Sequence, residues 1–96
     1  MTLAELLGDK RQDILRLAAQ HGARNVRIFG SLARGEARPD SDVDILITLD
    51  PERSLLDLIA LQQDLSDLLK CKVDVVTEAS VSPHIRPQAL QDAVVL

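Results

Sequence analysis

The chain has 96 residues, a formal net charge of −4 and one aromatic residue, Phe29. At 46% hydrophobic and 27% charged it reads as globular rather than disordered, and its length makes it a single domain over 1–96 with little surface to spare for a second, substrate-holding unit. The acidic balance and the lack of Trp and Tyr argue against a free-standing nucleic-acid binder, no apolar run approaches the ~20 residues of a membrane span, and the lone Cys71 with no leader after Met1 points to a reducing cytoplasm.

Residues 2–20 are predicted as a helix. Thr2 and Glu5 have capping-box spacing, and Leu3, Leu6, Leu7, Ile14, Leu17 and Ala18 recur at helical intervals. Gly8 is a weak point able to break the segment in two, and Gly22, after His21, suits a left-handed stop. Residues 25–29 read as a short strand with Val26 and Ile28 on one face. Gly30-Ser31 ends it and opens one or two helical turns reaching about Glu36, and Arg38-Pro39-Asp40-Ser41 is a turn cluster. Residues 43–49 form a second strand, with Val43, Ile45, Ile47 and Leu49 on one face and Asp42, Asp44 and Leu46 on the other.

Ser54 caps the clearest helix, which runs to about Leu69. Its apolar residues spread over roughly 240° of the helical wheel, where one packed face needs a stripe nearer ~100°. The helix is therefore either sandwiched within the domain or shared with a partner or a second copy. Residues 72–77 are a third strand, parallel to the second through a right-handed βαβ crossover. A turn at Ser82-Pro83, a short helix over 86–92 and an apolar tail, suited to an edge strand or a docking segment, complete the chain. The expected architecture is α/β, a small mixed sheet of three to four strands flanked by helices.

Chemistry concentrates at Gly30-Ser31 and, after ten intervening residues, Asp42-Val43-Asp44. Residues two apart on a strand share a face, so Asp42 and Asp44 set two carboxylates side by side, a pairing that a cation relieves. A Gly-Ser turn opening a helix exposes backbone N–H groups suited to phosphate, with Arg27, Arg34 and Arg38 near in sequence to offset triphosphate charge. Asp74, between Val73 and Val75, adds a third carboxylate on the neighbouring strand, as a ligand or as a base on an attacking hydroxyl. Together the three acids fit two-metal phosphoryl transfer. Other motifs fail on spacing. A calcium loop starting at Asp40 would need Gly and Glu where Ile45 and Pro51 stand, and neither a P-loop nor a dinucleotide fingerprint occurs. His21 and His84 have no partner at zinc spacing, and Cys71 reads as a packed or edge thiol.

Residues 26–46, from Val26-Arg27-Ile28-Phe29-Gly30-Ser31 through Asp42-Val43-Asp44-Ile45-Leu46, resemble the signature of the minimal nucleotidyltransferases, the MNT family of the polymerase beta superfamily. Val73-Asp74-Val75-Val76 and the tail resemble that family's ending. The resemblance implies a small mixed sheet and an antitoxin whose partner is a HEPN-domain ribonuclease toxin. It implies transfer of AMP from ATP to a tyrosine hydroxyl of that toxin. Gly30 and Ser31 would hold the nucleotide phosphates with Arg34 beside them, and Asp42, Asp44 and Asp74 would bind Mg²⁺, two ions in all. One departure is Leu32, where family members often carry Arg. Two other readings compete with the enzyme: an antitoxin that neutralises by binding alone, and transfer to a small molecule such as an aminoglycoside, for which the chain has no additional domain.

Overall fold

The computed structural model describes residues 2–36, 42–80 and 86–96, and the expected turns at 38–41 and 82–83 lie outside them. Thr2 Oγ1 accepts the Glu5 N–H at 3.1 Å and starts the first helix. That helix does not break at Gly8. It continues from α1 (Leu3–Glu5) through a π-helical turn over Leu6–Lys10 into α2 (Arg11–Gln20). Gly8 has no side chain to reposition when the hydrogen bonds shift to the wider register, so the expected split becomes a change of pitch. Leu6 stays fully buried, in the same core as Ile14 and Ala18. Gly22 takes the left-handed turn at φ +75°, and the Arg53 side chain lies where a Cβ at that position would stand.

Strand β1 covers Ala23–Phe29, two residues more than its apolar pattern predicts. Arg24 pairs with Thr48 but Arg27 with Leu46, so residues 25 and 26 stand against one residue of β2 in a bulge. Asn25 absorbs it at φ +53°, a conformation Asn tolerates better than most residues. Strands β2 (Val43–Leu49) and β3 (Val73–Thr77) are parallel, and β4 (Val94–Val95) joins β1 antiparallel as the expected edge strand. The sheet order is β3-β2-β1-β4, a mixed four-stranded sheet. Two short helices, α3 (Gly30–Ala33) and α5 (Arg86–Asp92), complete the fold.

The crossover helix α4 (Leu55–Leu69) begins where the Ser54 N–H donates to Asp57 Oδ2 at 2.9 Å. Leu61, Leu65 and Leu69, one turn apart, are buried with Val26, Ile28, Val43, Ile45, Ile47, Val73 and Val75, the inward residues of three strands. His21 Nε2 meets Asp64 Oδ2 at 2.7 Å and ties the end of α2 to α4 on that side. Gln62 reaches the rim of the sheet, where its Oε1 accepts the Val75 N–H at 2.9 Å on edge strand β3. The helix is not sandwiched along its length: Leu55, Leu56 and Ile59 are 67%, 76% and 54% exposed. Cys71 is a free, half-buried thiol packed against the core, and burial pushes its pKa up. No described helix is long and apolar enough to cross a membrane.

Candidate active site

Helices α2 and α4 cover one face of the sheet, and strand alternation sends the intervening side chains to the other. There the register sets Phe29, Asp44 and Asp74 opposite one another across β1, β2 and β3. The next row is Arg27, Leu46 and Val76. The two strand carboxylates expected from the sequence therefore meet on adjacent strands, with the single aromatic beside them.

Gly30 explains why that row can exist. Its φ is +75°, and a Cβ there would collide with Asp44 Oδ2 and come within 3.2 Å of Asp44 Cγ. Only glycine combines this backbone with so close an approach. The turn into α3 thus lies directly against the Asp44 carboxylate, with Ser31 the next residue and half-buried. Leu32 is 3% exposed and belongs to the core.

Electrostatics mark Asp44 as the strained member. Burial pushes its carboxyl pKa up, and the charges of Asp74 and Asp42 add to the rise, against smaller opposing effects of Arg34 and Lys72. Asp42 Oδ2 lies 3.7 Å from Lys72 Nζ. Arg34 acts on Asp44 through its charge, and its Nε pairs with Glu36 Oε2 at 3.2 Å. Arg27, expected to offset triphosphate charge, does something else. Its Nη1 pairs with Glu78 Oε1 at 2.6 Å and its Nε donates to the Asn25 carbonyl at 3.0 Å, so it spans β2 above the fully buried Leu46. Its Nη2 is buried and has no hydrogen-bond partner among the described residues. Arg38 and His84 lie outside the described residues.

The donor set fits a hard cation in kind: all are carboxylate oxygens, and the charges of Asp74 and Asp42 both act against ionisation of Asp44. They are not gathered into a closed cage, since among the described residues no three His, Cys, Asp or Glu side chains group closely enough to hold an ion by themselves. Such openness suits Mg²⁺, which keeps water and is commonly held by one or two carboxylates plus substrate phosphate. A recess of about 330 Å³ lies at the other end of β2 and β3, between Ile47, Thr48, Leu49, Thr77, Glu78 and Ala79. Its one acid, Glu78, is already tied to Arg27, and nothing there matches the chemistry of the acid row. Sequence reasoning missed Lys72, although its place two residues before Asp74 sets both on one face.

Comparison with known proteins identifies the family. The family described as nucleotidyltransferase domain matches residues 12–96. A relative from Thermococcus cleftensis named protein adenylyltransferase MntA is 41% identical over 78 residues, covering 81% of this chain and 79% of its own length. A solved structure assigned as a minimal nucleotidyltransferase superposes with a TM-score of 0.87 at 47% identity, covering 100% of this chain and 97% of that one. The fold recurs, with a TM-score of 0.66 at 21% identity and coverage of 88% and 66%, in a Shewanella oneidensis complex of an MNT antitoxin with a tri-AMPylated HEPN toxin. Family match, full-length relative and sheet topology converge: the chain belongs to the nucleotidyltransferase domain family, among its minimal members.

Proposed function

We propose that this chain transfers AMP from ATP to a tyrosine hydroxyl of a HEPN-domain toxin in the cytoplasm, and so acts as that toxin's antitoxin. The row formed by Asp44 and Asp74, with Gly30 pressed against Asp44, carries the reading. The adenylyltransferase name of the Thermococcus relative and the toxin–antitoxin complex of like fold supply the substrate and the partner.

In this reading the backbone N–H groups of Gly30 and Ser31 and the Ser31 hydroxyl hold phosphate oxygens, and Arg34 adds positive charge nearby. Asp42, Asp44 and Asp74 are the residues that would hold Mg²⁺, two ions in this reading, and bound metal would supply charge neutralisation of the polyphosphate and polarisation of the α-phosphorus. Asp74 lies farthest from Gly30 in the row, so it faces the acceptor and receives the proton of its hydroxyl. The acceptor oxygen bonds to the α-phosphorus as the bond to the bridging oxygen breaks, and pyrophosphate leaves.

Incubation with α-labelled ATP, Mg²⁺ and the toxin tests this. Label is expected on a toxin tyrosine, and Asp42→Asn/Asp44→Asn is expected to abolish it. Label passing equally well with that variant would refute the site. A second reading, neutralisation chiefly by binding, is favoured by the exposed Leu55, Leu56 and Ile59. It expects the same double variant still to silence the toxin.

A further inference from the structure

We propose that Lys72 is a resident counter-cation of the acid row, which pairs with Asp42 while the row is empty and moves to the nucleotide polyphosphate once a divalent cation takes that oxygen. The inference rests on the reading of the row as a metal–nucleotide site.

The main chain fixes where Lys72 starts. Its carbonyl accepts the Val43 N–H at 3.0 Å, so its Cα is held beside the beginning of β2. Strand alternation puts its side chain on the face of Asp74, two residues on. The ammonium then lies 3.7 Å from Asp42 Oδ2. That hold is weak, because the Lys72 side chain is 71% exposed and the Asp42 side chain 40%. Among the described residues two cations act on Asp44, Arg34 more strongly than Lys72, and Arg34 also pairs with Glu36. Of these two, Lys72 is the one ion-paired with an acid of the site, Asp42.

The consequence follows from sign. A divalent ion on Asp42 displaces the ammonium, since both compete for one oxygen and like charges repel. Four methylenes then let the ammonium swing without moving the backbone, and the nearest new anion is the polyphosphate arriving with the metal. Lys72 thus opposes metal in the empty site and favours nucleotide in the loaded one. It acts as a positioning residue, without touching the transferred phosphorus.

Mn²⁺ is the probe, titrated against the full chain without nucleotide and followed by loss of the free-ion paramagnetic signal. Lys72→Gln should bind Mn²⁺ about threefold more tightly than wild type, the size of a screened interaction between an exposed ammonium and a divalent ion several ångström away. Lys72→Arg should restore the wild-type value. With saturating Mg²⁺, Lys72→Gln should bind a non-hydrolysable ATP analogue about threefold more weakly. Unchanged Mn²⁺ affinity, or unchanged analogue affinity, in Lys72→Gln overturns the proposal. Mn²⁺ binding that survives Asp42→Asn and Asp44→Asn undiminished overturns instead the metal site on which it stands.

Discussion

Gly30 and Asp44 form a pair that neither residue type announces alone. The glycine sits at φ +75° with the carboxylate where its side chain would be, so Gly30→Ala meets backbone strain and a clash together. Denaturant unfolding should show it destabilised by about 1–3 kcal/mol, with nucleotide binding lost. Asp44 is the converse case. Its folded pKa is raised, first by burial and then by Asp74 and Asp42, so the native chain binds that proton more tightly than the unfolded one. Its contribution to stability is full below the ordinary carboxylate pKa and is lost as pH rises through the raised folded value. At neutral pH, with a chelator present, Asp44→Asn should therefore be more stable than wild type by roughly 0.5–1 kcal/mol, a small figure because the carboxyl is still partly in water. Melting curves should show a gain of a few degrees that closes as pH falls. The acids were legible in the sequence because period-two alternation needs only a strand assignment. The collision at Gly30 was not, because it depends on a through-space approach between residues fourteen apart in sequence.

Helix α4 separates two kinds of apolar residue that look alike on a wheel. Leu61 is fully buried, and Leu61→Ala should lower stability by about 2–5 kcal/mol in denaturant unfolding. Leu56 is 76% exposed, and Leu56→Ser should change stability by no more than about 0.5 kcal/mol. If the exposed first turn contacts the toxin, that same variant weakens the complex in a titration while its melting curve stays put. Periodicity marked the helix and its Ser54 start, but a wide apolar sector does not say which edge the sheet takes. The sheet takes Leu61, Leu65 and Leu69 and leaves Leu55, Leu56 and Ile59 in water. The start of β1 was illegible for a local reason: Arg24 and Asn25 break the alternation where the bulge sits. Gly8 misled because propensity measures the weakness of a helix without saying whether it snaps or changes pitch.

At the scale of the whole molecule, the sheet divides the labour. One face is filled by α2 and α4, and the other carries the row of Phe29, Asp44 and Asp74. Asp42→Asn/Asp44→Asn should keep the fold, since both side chains are at least partly exposed and neither supports the core. Its circular dichroism should match wild type while transfer to the proposed toxin partner falls below detection. Whether it still protects cells from the toxin separates catalytic neutralisation from neutralisation by binding. The signature residues made the family readable from sequence, whereas Lys72 was not singled out, because a lysine before a strand has many ordinary uses until its ammonium is seen 3.7 Å from Asp42.

Gln62 bears on how the purified protein behaves in a tube. Strand β3, Val-Asp-Val-Val-Thr, lies at the sheet's rim and is rich in β-branched residues, the kind of segment that recruits a strand from another molecule. The Gln62 amide occupies the Val75 N–H that such a strand would need. Gln62→Ala should therefore cloud faster than wild type under mild heating at high concentration, with turbidity rising ahead of unfolding, so this one side chain acts as a gatekeeper of colloidal shelf life.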